Sequence, residues 1–180
     1  DEFVVPAVIG EFSGVRVGDG LLMANFRSDR VRQLLEALVD PNFECFSTNG
    51  RVTFATKLGI TDYSQYLSSL MGTMFPTNSV QQTLGEVIAA NGLHQFRIAE
   101  TEKYAHVTFF LNGGREAPYP GEDRVLVPSP KVTTYDQKPE MSAPEVADEL
   151  VRALESGKYE FLVVNFANTD MVGHTGNLQA

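Results

Sequence analysis

The chain has 180 residues, 43% of them hydrophobic, which is enough to bury the core of one large domain or of two small ones. A formal net charge of -9 excludes non-specific binding to nucleic acid or to an anionic membrane, because both depend on an excess of lysine and arginine. No apolar run reaches the roughly 20 residues of a membrane-spanning helix, so the sequence predicts no membrane partner.

The cysteine content and the two ends of the chain add further expectations. The single cysteine, Cys45, rules out an internal disulfide framework and is compatible with a reducing cytosol. We therefore expect a cytoplasmic protein in which Cys45 is a small buried residue. The chain opens on "DEFVVP" and stops at "HTGNLQA", where a helix is beginning, and this indicates a piece of a longer protein.

The first third of the chain predicts a small α/β layer. "FVVPAVIG" and "GVRV" are rich in β-branched residues, and "LLMANF" has the character of a buried strand that follows the turn signal "GDG". In "DRVRQLLEALV" the side chains of Val31, Leu34, Leu35 and Leu38 fall on one face, which predicts an amphipathic helix. A further strand is predicted at "RVTFATKL".

A change of character near Pro76 predicts a domain boundary, with domains at residues 1–75 and 76–180. Beyond it, "VQQTLGEVIAAN" predicts a helix capped by Asn78 or Ser79, and "HQFRIAE" predicts a strand. The segment "TEKYAHVTFFLNGG" is compatible with a helix or with a strand, and its terminal glycines favour the helix.

The last third begins with a long connection and continues with a second helix and strand. Residues 114–141 are rich in proline and in charge, and connections of that length are usually functional or mobile. The helix "APEVADELVRALESG" and the strand "YEFLVVNF" follow. Alternating helices and apolar strands predict an α/β fold, with a mostly parallel sheet covered by helices on both faces.

The stretch "NFANTDMVGHTGN", directly after the last predicted strand, contains the first candidate site. Open α/β sheets bind ligands beyond the carboxyl ends of their strands, and Asp170 and His174 lie at such an end. A carboxylate and a neutral imidazole in one turn suit a divalent cation such as Mn²⁺ or Zn²⁺. The alternative is a helix cap beside a surface histidine, because this spacing is common by chance.

The stretch "NFRSDR" contains the second candidate site. Arg27 and Arg30 lie between an apolar strand and a helix, where guanidinium groups and free backbone N–H groups can hold a phosphate or a carboxylate. A solvated helix start is the alternative. The third candidate is Lys103, which is suited to neutralise a transferred phosphoryl group; the alternative is a solvated face, which is the usual setting of a lysine beside residues such as Glu100 and Glu102.

Three segments together resemble the cofactor-independent phosphoglycerate mutases, which are metal-dependent members of the alkaline phosphatase superfamily: "NFRSDR", "AETEKYAHVTFFLNGGREAPYPGEDRVLVPSPKVTTYDQKPEMSAPEVAD" and "NFANTDMVGHTGN". The resemblance extends through essentially the whole chain and is most specific from Asn25 onward. It implies that residues 1–75 are the last part of a smaller α/β transferase domain. Residues 76–180 then resemble the central part of an alkaline-phosphatase-like, metal-binding domain.

The resemblance also implies an activity. Members of this family interconvert 3-phosphoglycerate and 2-phosphoglycerate in glycolysis and gluconeogenesis through a phosphoserine, without 2,3-bisphosphoglycerate. They use two divalent ions, usually Mn²⁺, with Mg²⁺, Co²⁺ or Zn²⁺ as further possibilities. The whole protein is expected to be a cytoplasmic monomer.

The same resemblance assigns roles to residues of this chain. Asp170 and His174 match ligands of one metal, Arg27 and Arg30 match substrate-binding arginines, and Lys103 matches a catalytic lysine that faces the phosphate. The nucleophilic serine and the remaining metal ligands of the family match nothing in this chain, so the chain alone is expected to be inactive.

Two other functions stay open at this level. The parent protein is alternatively another metal-dependent phosphomutase or phosphohydrolase of the alkaline phosphatase superfamily, although "NFRSDR" favours a phosphoglycerate transferase domain. The chain as given is alternatively a non-catalytic folding or interaction unit.

Overall fold

The structure is a computed structural model that describes residues 5–48, 50–78 and 80–180. It contains two compact units, a first unit at Pro6–Asn78 and a second unit formed by residues 80–180. Each unit is built on a three-stranded sheet in which every strand pair is parallel. The predicted α/β class with parallel strands is therefore confirmed, whereas the assignment of residues 1–75 and 76–180 to two functional domains stays a prediction.

Over residues 6–48 and 50–78, the first unit contains three strands and two helices. In chain order they are β1 (Gly20–Met23), α1 (Val31–Val39), β2 (Thr56–Gly59), α2 (Gln65–Leu70) and β3 (Gly72–Thr73). The strands lie side by side in the order β1, β2, β3. Apolar side chains of both helices form one core with Leu21 and Met23 of β1, which fixes the helices against the sheet.

Tyr63 joins the sheet of the first unit to its second helix. Its hydroxyl donates to the backbone oxygens of Met23, at 3.0 Å, and of Asn25, at 2.7 Å, just beyond the end of β1. Its ring leaves no room for a side chain at Gly59, because a Cβ there would lie 2.6 Å from a ring carbon. The segment "NFRSDR" therefore begins where the chain is anchored to the core.

Three expectations for the first unit were wrong. Leu34 is 53% exposed, because the buried stripe of α1 runs through Val31, Leu35 and Val39 instead. Residues 5–17 contain no strand, although Phe3 and Val4 lie outside the described residues; exposed side chains such as Ile9 have no neighbouring strand to pack against. Cys45 is exposed and not buried.

Besides a short 3₁₀ helix at Tyr135–Gln137, residues 80–180 of the second unit contain three strands and four α-helices, one of which has a π-helical continuation. In chain order they are α3 (Leu84–Ala90), β4 (Gln95–Glu100), α4 (Thr101–Ala105) with its π-helical continuation (His106–Phe110), β5 (Glu122–Val127), α5 (Ala143–Glu155), β6 (Phe161–Asn165) and α6 (Asn168–Gly173). The central strand is β4, with β5 on one side and β6 on the other. All six residues of β4 are buried, as expected for a parallel strand covered on both faces.

The two faces of β4 differ in chemistry. Phe96 and Ile98 pack with Val146 and Ala153 of α5 in an apolar core. Gln95 and Arg97 alternate with them and so point to the opposite face, where the side chain of Gln95 donates to the backbone oxygen of Gly85 in α3 at 2.9 Å.

Two predicted details of the second unit were wrong. Residues 114–141 were expected to lack regular structure, but they contain β5, whose edge position accommodates the charged side chains of "EDRVLV". Helix α3 begins later than expected and is capped by Thr83, whose Oγ1 accepts from the backbone N–H of Glu86 at 3.3 Å. Asn78 is not the cap, and Ser79 lies outside the described residues. The helical alternative for the segment after β4 is confirmed.

Candidate functional site

The candidate site lies at the carboxyl ends of two neighbouring strands. Helix α4 begins at Thr101, directly after β4, and α6 begins at Asn168, with two residues between it and the end of β6. Because β4 and β6 are parallel and Ala99 pairs with Asn165, both strands deliver their following helices to the same edge of the sheet.

Three of the predicted site residues meet at this edge. The Nζ of Lys103 forms an ion pair with Oδ2 of Asp170, although 67 residues separate them in the chain. The other carboxylate oxygen of Asp170 lies 3.4 Å from Nε2 of His174. The side chain of Lys103 is only 11% exposed, whereas those of Asp170 and His174 are 51% and 50% exposed. The alternative of a solvated lysine face is therefore wrong.

Helix α6 explains why Asp170 and His174 lie side by side. The backbone N–H of His174 donates to the backbone oxygen of Asp170 at 3.1 Å, so the two residues are one helical turn apart on the same face. On the opposite side, Met171 and Val172 are buried with Ala167 and Met141. This packing holds the helix while it leaves the carboxylate and the imidazole accessible.

The donor set fits a divalent metal ion. A half-exposed carboxylate and imidazole on one helix face can supply two ligands and leave the other coordination positions open. Over residues 5–48, 50–78 and 80–180, no group of three or more histidine, cysteine, aspartate or glutamate side chains has an arrangement suited to a metal ion. Asp170 and His174 can therefore supply two ligands, fewer than a complete metal site needs, and their role as metal ligands stays a prediction.

The connection after β5 supports both helices that carry these residues. The hydroxyl of Tyr135 donates to Oε1 of Glu102, the neighbour of Lys103, at 2.8 Å, and its ring packs on the apolar cluster under α6. The side chain of Asn168 donates to the backbone oxygen of Pro139 at 3.0 Å. Sequence reasoning assigned this connection no site residue, because its proline and charge content masks contacts that only the fold creates.

The predicted substrate-binding arginines belong to the first unit. Arg27 is exposed, and its Nε lies 3.0 Å from Oδ2 of Asp29. Arg30 stands at the N-terminal boundary of α1, where its backbone N–H donates to Oδ1 of Asp29 at 2.7 Å. Their role in binding a substrate stays a prediction. A cavity of about 290 Å³ in the same unit is lined by Leu38, Pro41, Lys57 and others, and neither arginine lines it.

Comparison with known proteins bears on the class of this site. A family model described as the metalloenzyme superfamily matches residues 19–180. The chain therefore belongs to the metalloenzyme superfamily. Membership implies divalent metal ions as cofactors of the whole protein, in agreement with the donor pair on α6.

Particular relatives narrow the class further. A 2,3-bisphosphoglycerate-independent phosphoglycerate mutase of Rhodopseudomonas palustris is 61% identical over all 180 residues, which cover 36% of that protein. The corresponding mutase of Gluconobacter oxydans is 55% identical, with 35% of its length covered. A crystal structure of Leishmania mexicana phosphoglycerate mutase at low cobalt concentration matches 92% of the chain and 30% of its own chain, with a TM-score of 0.83 at 33% identity.

These relatives confirm the resemblance to the cofactor-independent phosphoglycerate mutases and the fold that it implied. The chain spans about a third of the length of the curated relatives that it matches. Among the described residues, no helix is both long enough and apolar enough to cross a membrane.

Proposed function

We propose that the whole protein to which this chain belongs interconverts 3-phosphoglycerate and 2-phosphoglycerate through a phosphoserine, and that this chain supplies part of the metal and phosphate site. The observation that carries the proposal is the meeting of Lys103, Asp170 and His174 at one edge of a metalloenzyme-superfamily sheet. The names of the relatives support this type of reaction, because they are phosphoglycerate mutases independent of 2,3-bisphosphoglycerate.

Each residue has a task that its chemistry suits. Asp170 and His174 hold one divalent ion, which when bound supplies Lewis-acid stabilisation of phosphoryl oxygens. Lys103, whose ammonium group is nearly buried, adds a positive charge that neutralises the phosphoryl group as it transfers. The guanidinium groups of Arg27 and Arg30 retain the glycerate by its carboxylate or phosphate oxygens, so that the phosphoryl group returns to the same molecule.

The finer features of the proposal follow from the same resemblance. Two Mn²⁺ ions serve the whole protein, with Mg²⁺, Co²⁺ or Zn²⁺ as substitutes, and cobalt is named for the Leishmania mexicana relative. The protein acts in glycolysis as a cytoplasmic monomer on a small-molecule substrate. The chain alone is inactive, because the proposed nucleophilic serine and the other metal ligands belong to the rest of the protein.

A coupled assay tests the proposal. The whole protein and the isolated chain are each supplied with 3-phosphoglycerate and Mn²⁺, and the appearance of 2-phosphoglycerate is recorded together with that of free phosphate. We expect 2-phosphoglycerate from the whole protein and no turnover by the chain. Free phosphate without 2-phosphoglycerate would identify a phosphohydrolase instead, and turnover by the chain that a Lys103→Ala substitution abolishes would contradict the division of the site.

A further inference from the structure

Glu100 is a buried carboxyl group to which the proposed mechanism gives no task. It is the last residue of β4, three residues before Lys103, and none of its surface is exposed. In the part of the chain that the structure describes, no salt bridge neutralises it. A buried carboxyl group without a cation is costly, so it needs hydrogen-bond donors that compensate for the loss of water.

One such donor is Ser129, in the connection that follows β5. The hydroxyl of Ser129 donates to Oε2 of Glu100 at 2.9 Å. The backbone N–H of Ser129 donates to Oγ1 of Thr101 at 3.0 Å, and the backbone N–H of Glu102 donates to the Ser129 hydroxyl at 3.4 Å. One serine therefore contacts three consecutive residues at the junction of β4 and α4.

The segment that carries Ser129 is itself fixed. The hydroxyl of Ser142, at the start of α5, donates to the backbone oxygen of Pro128 at 2.7 Å, and Ser142 is buried. Strand β5 leads directly into Pro128 and Ser129 and is paired along its whole length with β4. The serine thus joins the carboxyl ends of two strands to the first turn of α4.

We propose that Ser129, anchored by the buried Glu100, is a positioning residue that fixes the first turn of α4 and thereby holds Lys103 against Asp170. The inference rests on the proposed function for its catalytic consequence, but the contacts that carry it do not depend on the reaction. Thr101 and Glu102 are the residues immediately before Lys103, so a shift of their backbone moves the lysine directly. Loss of such a supporting contact typically lowers activity about tenfold to a hundredfold.

Substitutions of Ser129 in the whole protein test the inference. Ser129→Ala removes the hydroxyl links with the smallest change of shape, whereas Ser129→Thr keeps a hydroxyl. Ser156→Ala is the matched control, because the bonds of Ser156 to the described residues lie within its own helix end: its hydroxyl donates to the backbone oxygen of Ala153 at 2.6 Å and accepts from the backbone N–H of Lys158 at 3.2 Å. Two quantities are measured: kcat and KM for 3-phosphoglycerate, and the NMR signal of ¹³C-methylated Lys103, assigned by its loss in Lys103→Met.

We expect Ser129→Ala to lower kcat about tenfold to a hundredfold with a smaller change in KM, and to shift the Lys103 signal. Ser129→Thr should restore both, and Ser156→Ala should change neither. An unshifted Lys103 signal in folded Ser129→Ala protein would overturn the inference. If the wild-type whole protein has no mutase activity, the proposed function fails, while the Lys103 signal still decides whether Ser129 positions the lysine.

Discussion

The two units are built on the same kind of sheet but differ in the side chains that they bury. The first unit has an apolar core that includes Tyr63, whose hydroxyl donates to the backbone oxygens of Met23 and Asn25. Asp40 of this unit is buried as well, at 9% exposure, but lies outside that core. The second unit buries several charged side chains, including Arg97 and Glu100, which have no exposed surface. Both units nevertheless have parallel three-stranded sheets.

The charged interior of the second unit is organised as a network. Glu122, buried on β5, accepts from the side chain of Asn112 at 2.9 Å and from Nε of Arg124 at 2.6 Å. Arg97 donates to Gln95 at 2.6 Å and lies over the ring of Phe161, and its burial lowers its pKa while Glu122 opposes that shift. Buried polar groups cost stability unless they are paired. The second unit therefore depends on these hydrogen bonds and ion pairs as well as on hydrophobic packing.

The two units also differ in how firmly they hold their candidate functional groups. In the second unit, Lys103 is nearly buried, and its partner Asp170 lies on α6, whose opposite side packs in an apolar cluster. In the first unit, Arg27 is 70% exposed on a segment before a helix. We therefore expect residues of the second unit to act in the chemical step and the arginines of the first unit to act in binding.

The largest expected effect is the loss of a metal ligand. In the whole protein, His174→Ala should lower bound metal by one ion and reduce kcat by about a thousandfold, since metal stabilisation of the transition state is worth several kcal/mol. His94→Ala is the matched control, because His94 lies in the same unit, is similarly exposed and faces Glu160 at 4.0 Å. Elemental analysis by plasma mass spectrometry and circular dichroism are run on both variants. Unchanged metal content in folded His174→Ala protein would mean that the pair only stabilises α6.

The next effect is that of the buried ammonium group. Lys103→Ala should reduce kcat by about 10²- to 10³-fold, the range seen when one preorganised charge or donor is removed from a transition state. Lys158→Ala provides the comparison, because Lys158 pairs with Asp123 at 2.5 Å but is half exposed. Steady-state kinetics with 3-phosphoglycerate distinguish the two. Equal losses in both variants would contradict a special role for Lys103.

A smaller effect is expected from the arginines of the first unit. Arg27→Lys keeps the charge but loses the planar pair of donors, so the loss of one charge-assisted contact, about 1.5–3 kcal/mol, should lower kcat/KM about tenfold to a hundredfold. Arg30→Ala should act in the same direction and chiefly through KM. Arg16→Ala, at another exposed arginine of this unit, is the control. Wild-type kinetics in both Arg27→Lys and Arg30→Ala would return these residues to a surface role.

The smallest effect concerns stability and pH in the second unit. Burial raises the pKa of Glu100, the nearby Glu102 and Glu145 raise it further, and the Ser129 hydroxyl and the backbone N–H of Ser142 oppose the shift without cancelling it. A carboxyl group with a raised pKa in the folded state stabilises the fold below its ordinary value of 4.5, and this contribution is lost as the pH rises through the raised value.

Glu100→Gln, which stays neutral at every pH, isolates that contribution. We expect its melting temperature to rise relative to wild type as the pH increases from about 4.5 toward neutrality. Glu155→Gln, at an exposed glutamate at the end of α5, is the control and should show no such trend. Thermal unfolding followed by circular dichroism over this pH range provides the measurement. A difference that runs the other way would show that the folded protein favours ionised Glu100.

Much of the fold was predictable because several elements have clear apolar patterns that indicate a helix or a strand without knowledge of their neighbours. Helix α5, with its proline in the first turn and its glycine at the end, and the apolar strands β4 and β6 lie within two residues of their expected bounds. Strand β5 was missed because an edge strand tolerates charged residues. The segment before it also contains prolines, which suggest a loop. Helix α2 was missed because it is one and a half turns long and is stabilised by the Ser64 cap and by Leu67 in the core.

The α/β class, the family resemblance and the residue types of the candidate site could all be predicted from the residues alone. Asp170 and His174 were identifiable as a pair because a helical turn brings residues four apart together whatever surrounds them. The contact between Lys103 and Asp170, which are 67 residues apart, could not be predicted in this way, because it depends on the parallel register of β4 and β6. The burial of Glu100 and its bond to Ser129 likewise follow from the pairing of β4 with β5, and a local sequence pattern carries no information about a neighbour that is distant along the chain.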